Sequence, residues 1–193
     1  SQLAPEQPQN GEPRTGLSMG DHAAITAREM KVSREAQDEL ALASHQNLHK
    51  AWEEGFFTDL TTGFLGVNRD TNLRPDSSLE SLAKLKPVFG KRDAEQHGAQ
   101  ATMTAGNSTP LTDGASVALL SSEEWAAEHN IEPRAFLVDS ETAAVDFVHG
   151  PDGLLMAPTY AVPRLLERNN LSLQDFDFYE IHEAFASQVL ATL

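Results

Sequence analysis

The sequence predicts an α/β fold in which parallel strands alternate with helices, and it predicts only part of such a fold. In the second half of the chain, short apolar runs typical of strands alternate with helical patterns, which favours parallel strands joined by crossover helices. Too few strands are predicted there to complete a sheet. The last helical pattern is still in period at Leu193, with no glycine or proline to end it. We therefore expect an incomplete α/β fold, as in a fragment of a larger protein.

The first half of the chain is predicted to contain helices and loops. Residues 1–16 are rich in proline and lack an apolar period, so we expect a loop or disordered start. A short helix is predicted over 21–30, and a long one over 33–54 with Ser33 as its N-cap. Between residues 56 and 98, turn signals dominate and the only further helix is predicted over 78–85.

The second half carries the alternation of strands and helices. A turn-rich loop is predicted over 106–110, where glycine, asparagine, serine and proline follow one another. The predicted strands are residues 102–105, 116–120, 135–138 and 176–181, and the predicted helices are residues 122–129, 158–168 and 182–193.

Composition excludes several classes of function. The chain has 193 residues, of which 40% are hydrophobic, so it can bury a core. No stretch approaches the roughly 18 apolar residues that a membrane-spanning helix needs. The formal charge of −15 argues against binding to nucleic acid or to anionic lipid. The absence of cysteine excludes disulfides, zinc–thiolate sites and a cysteine nucleophile within this chain.

One segment of the acidic chain is basic. Residues 69–92 hold six basic and three acidic side chains, so the segment is +3 and the remainder is −18. A long loop that uses charge for solvation is the plainer interpretation. The alternative is that this local field gathers a phosphorylated ligand.

Two short motifs and one histidine pair are candidates for chemistry. Residues 104–115 are small and polar, which lets a ligand approach the backbone closely, although ordinary turns use the same residues. His182 follows a predicted buried strand and opens a predicted helix, where α/β folds place their sites and helix amides can support an oxyanion. An isolated histidine is more often a cap or a core residue. His45 and His49 are four residues apart but have no third ligand, so we expect no metal site.

Taken in order, these segments resemble the middle of a thiolase chain. Residues 18–20, Ser-Met-Gly, are similar to the family's H-M-G segment, and residues 33–47 to its S-R-x-x-Q-D…S-Q-N helix. Residues 73–89 resemble the R…L…AKLRPAF stretch of the family, and the T-A-G-N-S loop follows in the expected order. Residues 182–186 read H-E-A-F-A where most members have N-E-A-F-A. This change, together with residues 154–161, resembles the thiolase subunit of the fatty-acid β-oxidation (trifunctional) complex and its bacterial relatives.

The resemblance implies an αβαβα layered fold, present here in part. Residues 17–111 would form the loop domain that binds coenzyme A. Residues 112–132 would end the N-terminal core domain, and residues 133–193 would begin the C-terminal core domain.

The resemblance also implies an activity for the parent protein. It would interconvert 3-ketoacyl-CoA and CoA with acyl-CoA and acetyl-CoA through an acyl-cysteine intermediate, with CoA as substrate and no cofactor. The nucleophilic cysteine would lie upstream of this chain, and a second cysteine and a G-H-P histidine downstream, so the chain alone is expected to be inactive. Family members are dimers or tetramers, and the β-oxidation type pairs with a hydratase/dehydrogenase subunit. We expect a cytoplasmic location.

Six residues are matched to functional positions of the family. His182 stands in the place of the asparagine that positions an oxyanion-hole water, and its ring can donate a hydrogen bond. Arg74 matches the arginine beside the CoA adenine, and Thr109 a serine that bonds the pantetheine arm. The residues matched to the lining of the pantetheine tunnel are Met19, Ala105 and Phe185. Ser18 replaces a histidine of the family, so one ring of the pocket is missing.

Three other interpretations stay open at this point. The first is a thiolase-like protein that binds acyl-CoA or lipid without turnover. The second is a decarboxylative condensing enzyme of the ketoacyl synthase kind, which the residues 73–89 and the T-A-G-N loop disfavour. The third is a general α/β interaction fragment with no affinity for CoA.

Overall fold

The structure is a computed structural model that describes residues 10–193. Within these residues it contains seven α-helices and one 3-10 turn, connected by long irregular segments. The helices are α1 Met19–Glu29, α2 Arg34–Glu53, α3 Leu79–Ala83, α4 Lys91–His97, α5 Glu123–Glu128, α6 Pro158–Asn169 and α7 Ala186–Thr192, and the 3-10 turn is Leu173–Asp175.

The helices predicted over 21–30, 33–54, 78–85, 122–129 and 158–168 are confirmed as α1, α2, α3, α5 and α6. Serine caps explain why their starts are readable from sequence. The hydroxyl groups of Ser33 and Ser122 each accept a backbone N–H three residues further along, at 3.1 and 3.2 Å. Helix α4 was not predicted, because it begins after Gly90, which has a φ of 73° and forms no side-chain cap. In sequence this glycine resembles an ordinary turn.

The last helix begins later than predicted. The pattern predicts a helix over 182–193, but residues 182–185 are not helical and α7 starts at Ala186. The segment 182–185 is held by the loop that contains Asn107 and Thr109. The Thr109 N–H donates to the Ala184 carbonyl at 2.8 Å, and the Ala186 N–H donates to the Asn107 carbonyl at 3.1 Å. Tertiary hydrogen bonds therefore take the place of the first helical turn.

The four predicted strands are not formed as strands in the described part of the chain. Only isolated β-bridges occur there, and one of them, Pro87 with Thr104, lies within the predicted strand 102–105. Residues 116–120, 135–138 and 176–181 have no ladder partner among residues 10–193, and their apolar side chains are exposed. A strand is stable only when its backbone groups pair with a neighbour, so an apolar period alone does not produce one.

The core lies where α1 meets α7. Ala23 and Ala24 of α1 pack against Met103 and Phe185, and Phe89, Leu155 and Ala184 cover this cluster at its edge. This packing brings residues 103–109 and residues 182–186 side by side, although they are far apart in sequence. The core thereby positions the two motifs that the sequence marks as candidates for chemistry.

Residues 1–9 of the predicted loop start lie outside the described residues. Residues 10–16 form a turn that returns to the start of α1 through a β-bridge between Gly11 and Ser18. Among the helices of the described part, none combines the length and the apolar character that crossing a bilayer requires.

Candidate functional site

A cleft of about 650 Å³ opens on the described part of the chain. One wall is α2, a second is the segment 70–85 with α3, and the remaining sides are the loop 105–110 and the segment 182–186. Four of the six predicted site residues line it: Arg74, Ala105, Thr109 and His182. These residues come from three separate motifs, and the fold brings them to one cavity.

The α2 wall is fixed by a buried ion pair. The side chain of Asp38 is almost completely buried, and the Arg34 Nε lies 2.7 Å from its Oδ2 atom. The Arg34 guanidinium also donates to the carbonyls of Leu82 and Leu85, at the C-terminal end of α3. Helices α2 and α3 are thus held together below the cleft.

The loop 104–109 is closed by its own asparagine. The Asn107 Oδ1 accepts the Thr104 N–H at 2.8 Å, and the Asn107 Nδ2 donates to Asp38 at 2.9 Å and to the Thr102 carbonyl at 3.3 Å. Gly106 comes close to the end of α3, since a Cβ at this position would lie 2.6 Å from a side-chain carbon of Leu82 and 2.6 Å from one of Leu85. The small residues of this loop therefore allow its backbone to pack close to α3. The other side of the loop lines the cleft.

The segment that carries His182 is fixed from both sides. The Ser44 hydroxyl of α2 donates to the Glu183 carboxylate at 2.5 Å, and the Ala184 carbonyl accepts the Thr109 N–H. The His182 side chain is exposed and lines the cleft. The expectation that His182 opens a helix is wrong: α7 begins at Ala186, and the amide of that residue is already bonded to Asn107. The helix amides of α7 therefore begin four residues after His182, and the His182 ring is a possible donor of this segment that lines the cleft.

Arg74 lies on an exposed loop that is tied to α2. Its backbone N–H donates to the His45 Nδ1 at 3.3 Å, and its guanidinium donates to the carbonyls of Thr71 and Leu73 at 2.9 and 3.0 Å. Of the basic side chains in residues 69–92, Arg74 alone is among the residues that line the cleft. The acidic side chains of Asp70 and Glu183 line it as well. The positive charge of the segment is therefore spread over the surface rather than concentrated at the cleft.

The other two predicted site residues lie elsewhere in the described structure. Met19 is in the first turn of α1 and is 60% exposed, outside the cleft lining. Phe185 is 9% exposed and packs in the core, with its ring centroid 5.8 Å from that of Phe89. The tunnel-lining roles that the resemblance implies for these two residues stay predictions.

Several residues of the site were not singled out from sequence. Asp38 and Asn107 organise the cleft, and Ser44 and His45 connect its sides to α2. The available signal was the polar S-R-x-x-Q-D segment, whose glutamine and aspartate are the buried residues of α2. His45 was considered only as half of a metal pair. In residues 10–193 no group of three or more histidine, cysteine, aspartate or glutamate side chains is placed to hold a metal ion.

Comparisons with known proteins agree on one family. The thiolase N-terminal domain matches residues 11–124, and the thiolase C-terminal domain matches residues 131–193. The chain is 42% identical to the 3-ketoacyl-CoA thiolase of Serratia proteamaculans over 197 aligned residues, which cover 99% of this chain and 43% of that protein. It is also 42% identical to a probable 3-ketoacyl-CoA thiolase of Caenorhabditis elegans, covering 99% of this chain and 42% of the relative.

Solved structures give the same result. The acetyl-CoA acetyltransferase of Bacillus anthracis superposes with a TM-score of 0.82 at 36% identity, over 95% of this chain and 45% of that one. Human mitochondrial 3-ketoacyl-CoA thiolase in complex with CoA superposes with a TM-score of 0.80 at 32% identity, over 95% of this chain and 44% of that one. The predicted thiolase-like α/β fold class is confirmed. The chain spans less than half the length of the relatives it matches.

Proposed function

The chain belongs to the thiolase family, and from this premise we propose that it forms the CoA-facing part of a thiolase active site. The chain covers 43% of the length of its Serratia relative, so the proposal concerns a longer protein in which this segment works. That protein would interconvert 3-ketoacyl-CoA and CoA with acyl-CoA and acetyl-CoA, in fatty-acid β-oxidation. The thiolate that attacks the ketone would come from outside these 193 residues, because they contain no cysteine.

One observation carries the proposal. Arg74, Thr109 and His182 were matched to different parts of a CoA ester, and all three lie on the wall of one cleft of about 650 Å³. A cleft of this size lies within the range of small-molecule and cofactor sites. Its lining combines the small residues of the loop 105–108 with a few polar groups, which suits a long, thin ligand such as the pantetheine arm.

The proposed roles follow the geometry of the cleft. Arg74 would lie beside the adenine nucleotide at the exposed rim, where its guanidinium can stack on the base. Ala105 and Thr109 would line the path of the pantetheine arm. His182 would donate a ring N–H toward the developing oxyanion, directly or through a water molecule. Because the helix amides of α7 do not begin until Ala186, this donor would not be supported by a helix N-terminus at His182.

The subtype and the assembly form the finer part of the proposal. His182 in the H-E-A-F-A motif supports the thiolase subunit of a β-oxidation complex, as do residues 154–161. Such a subunit would assemble as a homodimer or homotetramer and pair with a hydratase/dehydrogenase subunit. We propose the cytoplasm as its location.

The experiment is a kinetic comparison of two cleft variants in the full-length protein. Thiolysis of a 3-ketoacyl-CoA is followed at varied CoA concentration. We expect Arg74→Ala to raise KM for CoA by about tenfold with little change in kcat, because it removes binding to a part of the substrate that does not react. We expect His182→Ala to lower kcat by about 100-fold or more and to change CoA affinity little, because oxyanion contacts strengthen only in the transition state.

The matched control is Arg92→Ala, which removes an exposed arginine of the same basic segment that lies outside the cleft lining. It should leave both constants unchanged. An increase in KM alone for His182→Ala would contradict the oxyanion role. Binding of CoA without any turnover by the wild-type protein would instead favour the thiolase-like binding protein.

A further inference from the structure

We propose that Asp38 is a positioning residue, which sets the shape of the cleft through Asn107 although it does not line the cleft itself. Asn107 is part of the cleft wall, whereas Asp38 lies behind it on α2. The inference deepens the proposed function, on which it rests for the identity of the ligand. The positioning itself follows from contacts within the chain.

The first step is the burial of the Asp38 carboxylate. This residue is 3% exposed, and a buried carboxylate is unfavourable unless both of its oxygens are paired. Here Oδ2 accepts from the Arg34 Nε at 2.7 Å, and Oδ1 accepts from the Asn107 Nδ2 at 2.9 Å. Replacing the Asp38–Arg34 pair by apolar side chains of similar volume would avoid the desolvation of two charges, so stability alone gives little reason for the pair here.

The second step is the contact that the hydrogen-bond network of Asp38 makes with the end of α3. The arginine that neutralises Asp38 also donates to the carbonyls of Leu82 and Leu85. Leu82 is in the last turn of α3 and Leu85 lies just after it, and the Leu82 carbonyl also accepts the Leu85 N–H at 3.0 Å. Asp38 therefore orients Arg34 so that one guanidinium connects α2 with the wall formed by α3.

The third step is that Asn107 forms several hydrogen bonds at once, with its side chain and with its backbone. Its side-chain oxygen accepts from the Thr104 N–H, its side-chain nitrogen donates to Asp38 and Thr102, and its backbone carbonyl accepts the Ala186 N–H. The residue is 3% exposed, so a lost partner could not be replaced by bulk water. Through this one residue, Asp38 fixes the loop 104–109 and the end of the segment that carries His182.

The charge pattern across the contact suggests a decisive pair of variants. Asn107→Asp places two carboxylates at a separation of 2.9 Å, which opposes the closed loop. The double variant D38N/N107D restores a donor and an acceptor across the same contact, since the amide introduced at position 38 can donate to the carboxylate introduced at position 107. The Thr104 N–H keeps its acceptor in both variants. Glu39→Gln is the matched control, because Glu39 is an exposed acid next to Asp38 on the same helix.

The experiment measures three quantities in the full-length protein: KM and kcat with CoA, amide hydrogen exchange of residues 102–109, and Tm. We expect Asn107→Asp to raise KM for CoA by tenfold or more and to accelerate exchange at Thr104 and Gly106 by at least tenfold. D38N/N107D should recover at least a third of the loss in log KM and slow the exchange again. Glu39→Gln should match the wild type in all three quantities.

The outcomes separate this inference from a purely structural role and from the proposed function. If the variants lower Tm but leave KM and loop exchange unchanged, or if the double variant recovers Tm alone, the positioning role is overturned. If the wild-type protein does not bind CoA, the proposed function fails, and loop exchange then decides the positioning role. In that case faster exchange in Asn107→Asp with recovery in the double variant supports it, and unchanged exchange overturns it.

Discussion

Gly90 is the residue at which the loop before α4 packs against α1. Its φ of 73° is in the left-handed region, and a Cβ at this position would lie 2.5 Å from the Cβ of Ala24. Its N–H donates to the Asp21 carboxylate at 3.0 Å. Burial acts to raise the pKa of Asp21, but the hydrogen bonds from Gly90 and Ser18 lower it below the ordinary value overall. The turn before α4, its close packing on Ala24 and its hydrogen bond to Asp21 thus all depend on this glycine.

We predict that Gly90→Ala lowers the free energy of unfolding by about 2–4 kcal/mol, because left-handed strain adds to overpacking. Gly98→Ala is the matched control, since Gly98 has a φ of 60° and a Cβ added there would have no neighbouring atom within 4 Å. The control should cost only the backbone strain, about 1 kcal/mol. Urea denaturation of both variants measures the difference, and equal losses would contradict the packing contact with Ala24.

Single residues also explain what sequence analysis found at the site and what it missed. Arg74, Ala105, Thr109 and His182 were predicted through motif matches, and the structure places them on one cleft. Asp38 was missed as a site residue because a helix is normally read by its apolar residues, and a buried carboxylate depends on partners far away in sequence. One of its two partners, Asn107, lies 69 residues further along the chain.

At the scale of elements, helix α2 shows the limit of an apolar period. The period over 33–54 predicts its extent correctly, because Ser33 caps its start and a left-handed Gly55 follows its end. The period does not predict what the helix buries: its two buried residues are Gln37 and Asp38. Hydrogen bonds to the segment 102–107 pair the Gln37 Nε2 and the Asp38 Oδ1, although the sequence places that segment on a different element.

Helix α6 carries an ion-pair cluster that makes a pH-dependent contact. The Asp139 carboxylate accepts from the Arg168 Nε at 2.9 Å and from the Asn169 Nδ2 at 2.6 Å. The Arg168 guanidinium, together with Asn169 and the Ser140 N–H, lowers the pKa of Asp139 from 3.8 to about 2. The cluster attaches residues 139–141 to the C-terminal half of α6.

We predict that this attachment is complete above pH 4 and weakens as the pH falls toward about 2. A carboxyl whose pKa is lowered in the folded state stabilises it above the unfolded pKa, here 3.8, and loses that effect as the pH falls through the folded value. Asp139→Asn should therefore be less stable than the wild type at pH 6, and the difference should shrink as the pH falls through about 2. The effect is small because the cluster is at the surface. Thermal unfolding at several pH values measures it. Glu167→Gln, which removes an exposed acid of the same helix, is the matched control.

At the scale of the whole molecule, the thiolase-like α/β fold class was predicted correctly from the sequence. The individual strands that the sequence predicts are not formed in the described part of the chain. Helices make their hydrogen bonds within one segment, so a local period and a cap are sufficient to predict them. Strands make theirs with other segments, and residues 116–120, 135–138 and 176–181 find no such partners within the described chain. The matched relatives are more than twice as long as this chain, so they contain further chain with which such segments can pair.

The difference in length between this chain and its relatives leads to a prediction about the three segments that do not form strands. Val117, Leu137 and Phe178, one from each of these segments, are 97%, 81% and 87% exposed, and their apolar surface would be buried by pairing into a packed sheet. We predict that amide exchange of the three segments is fast in the 193-residue chain. It should slow by at least tenfold when the chain replaces the corresponding part of the Serratia proteamaculans relative.

Hydrogen exchange with mass spectrometry measures both proteins. Fast exchange of all three segments in the longer protein would mean that they are loops, and that the strand pattern of the sequence has another origin.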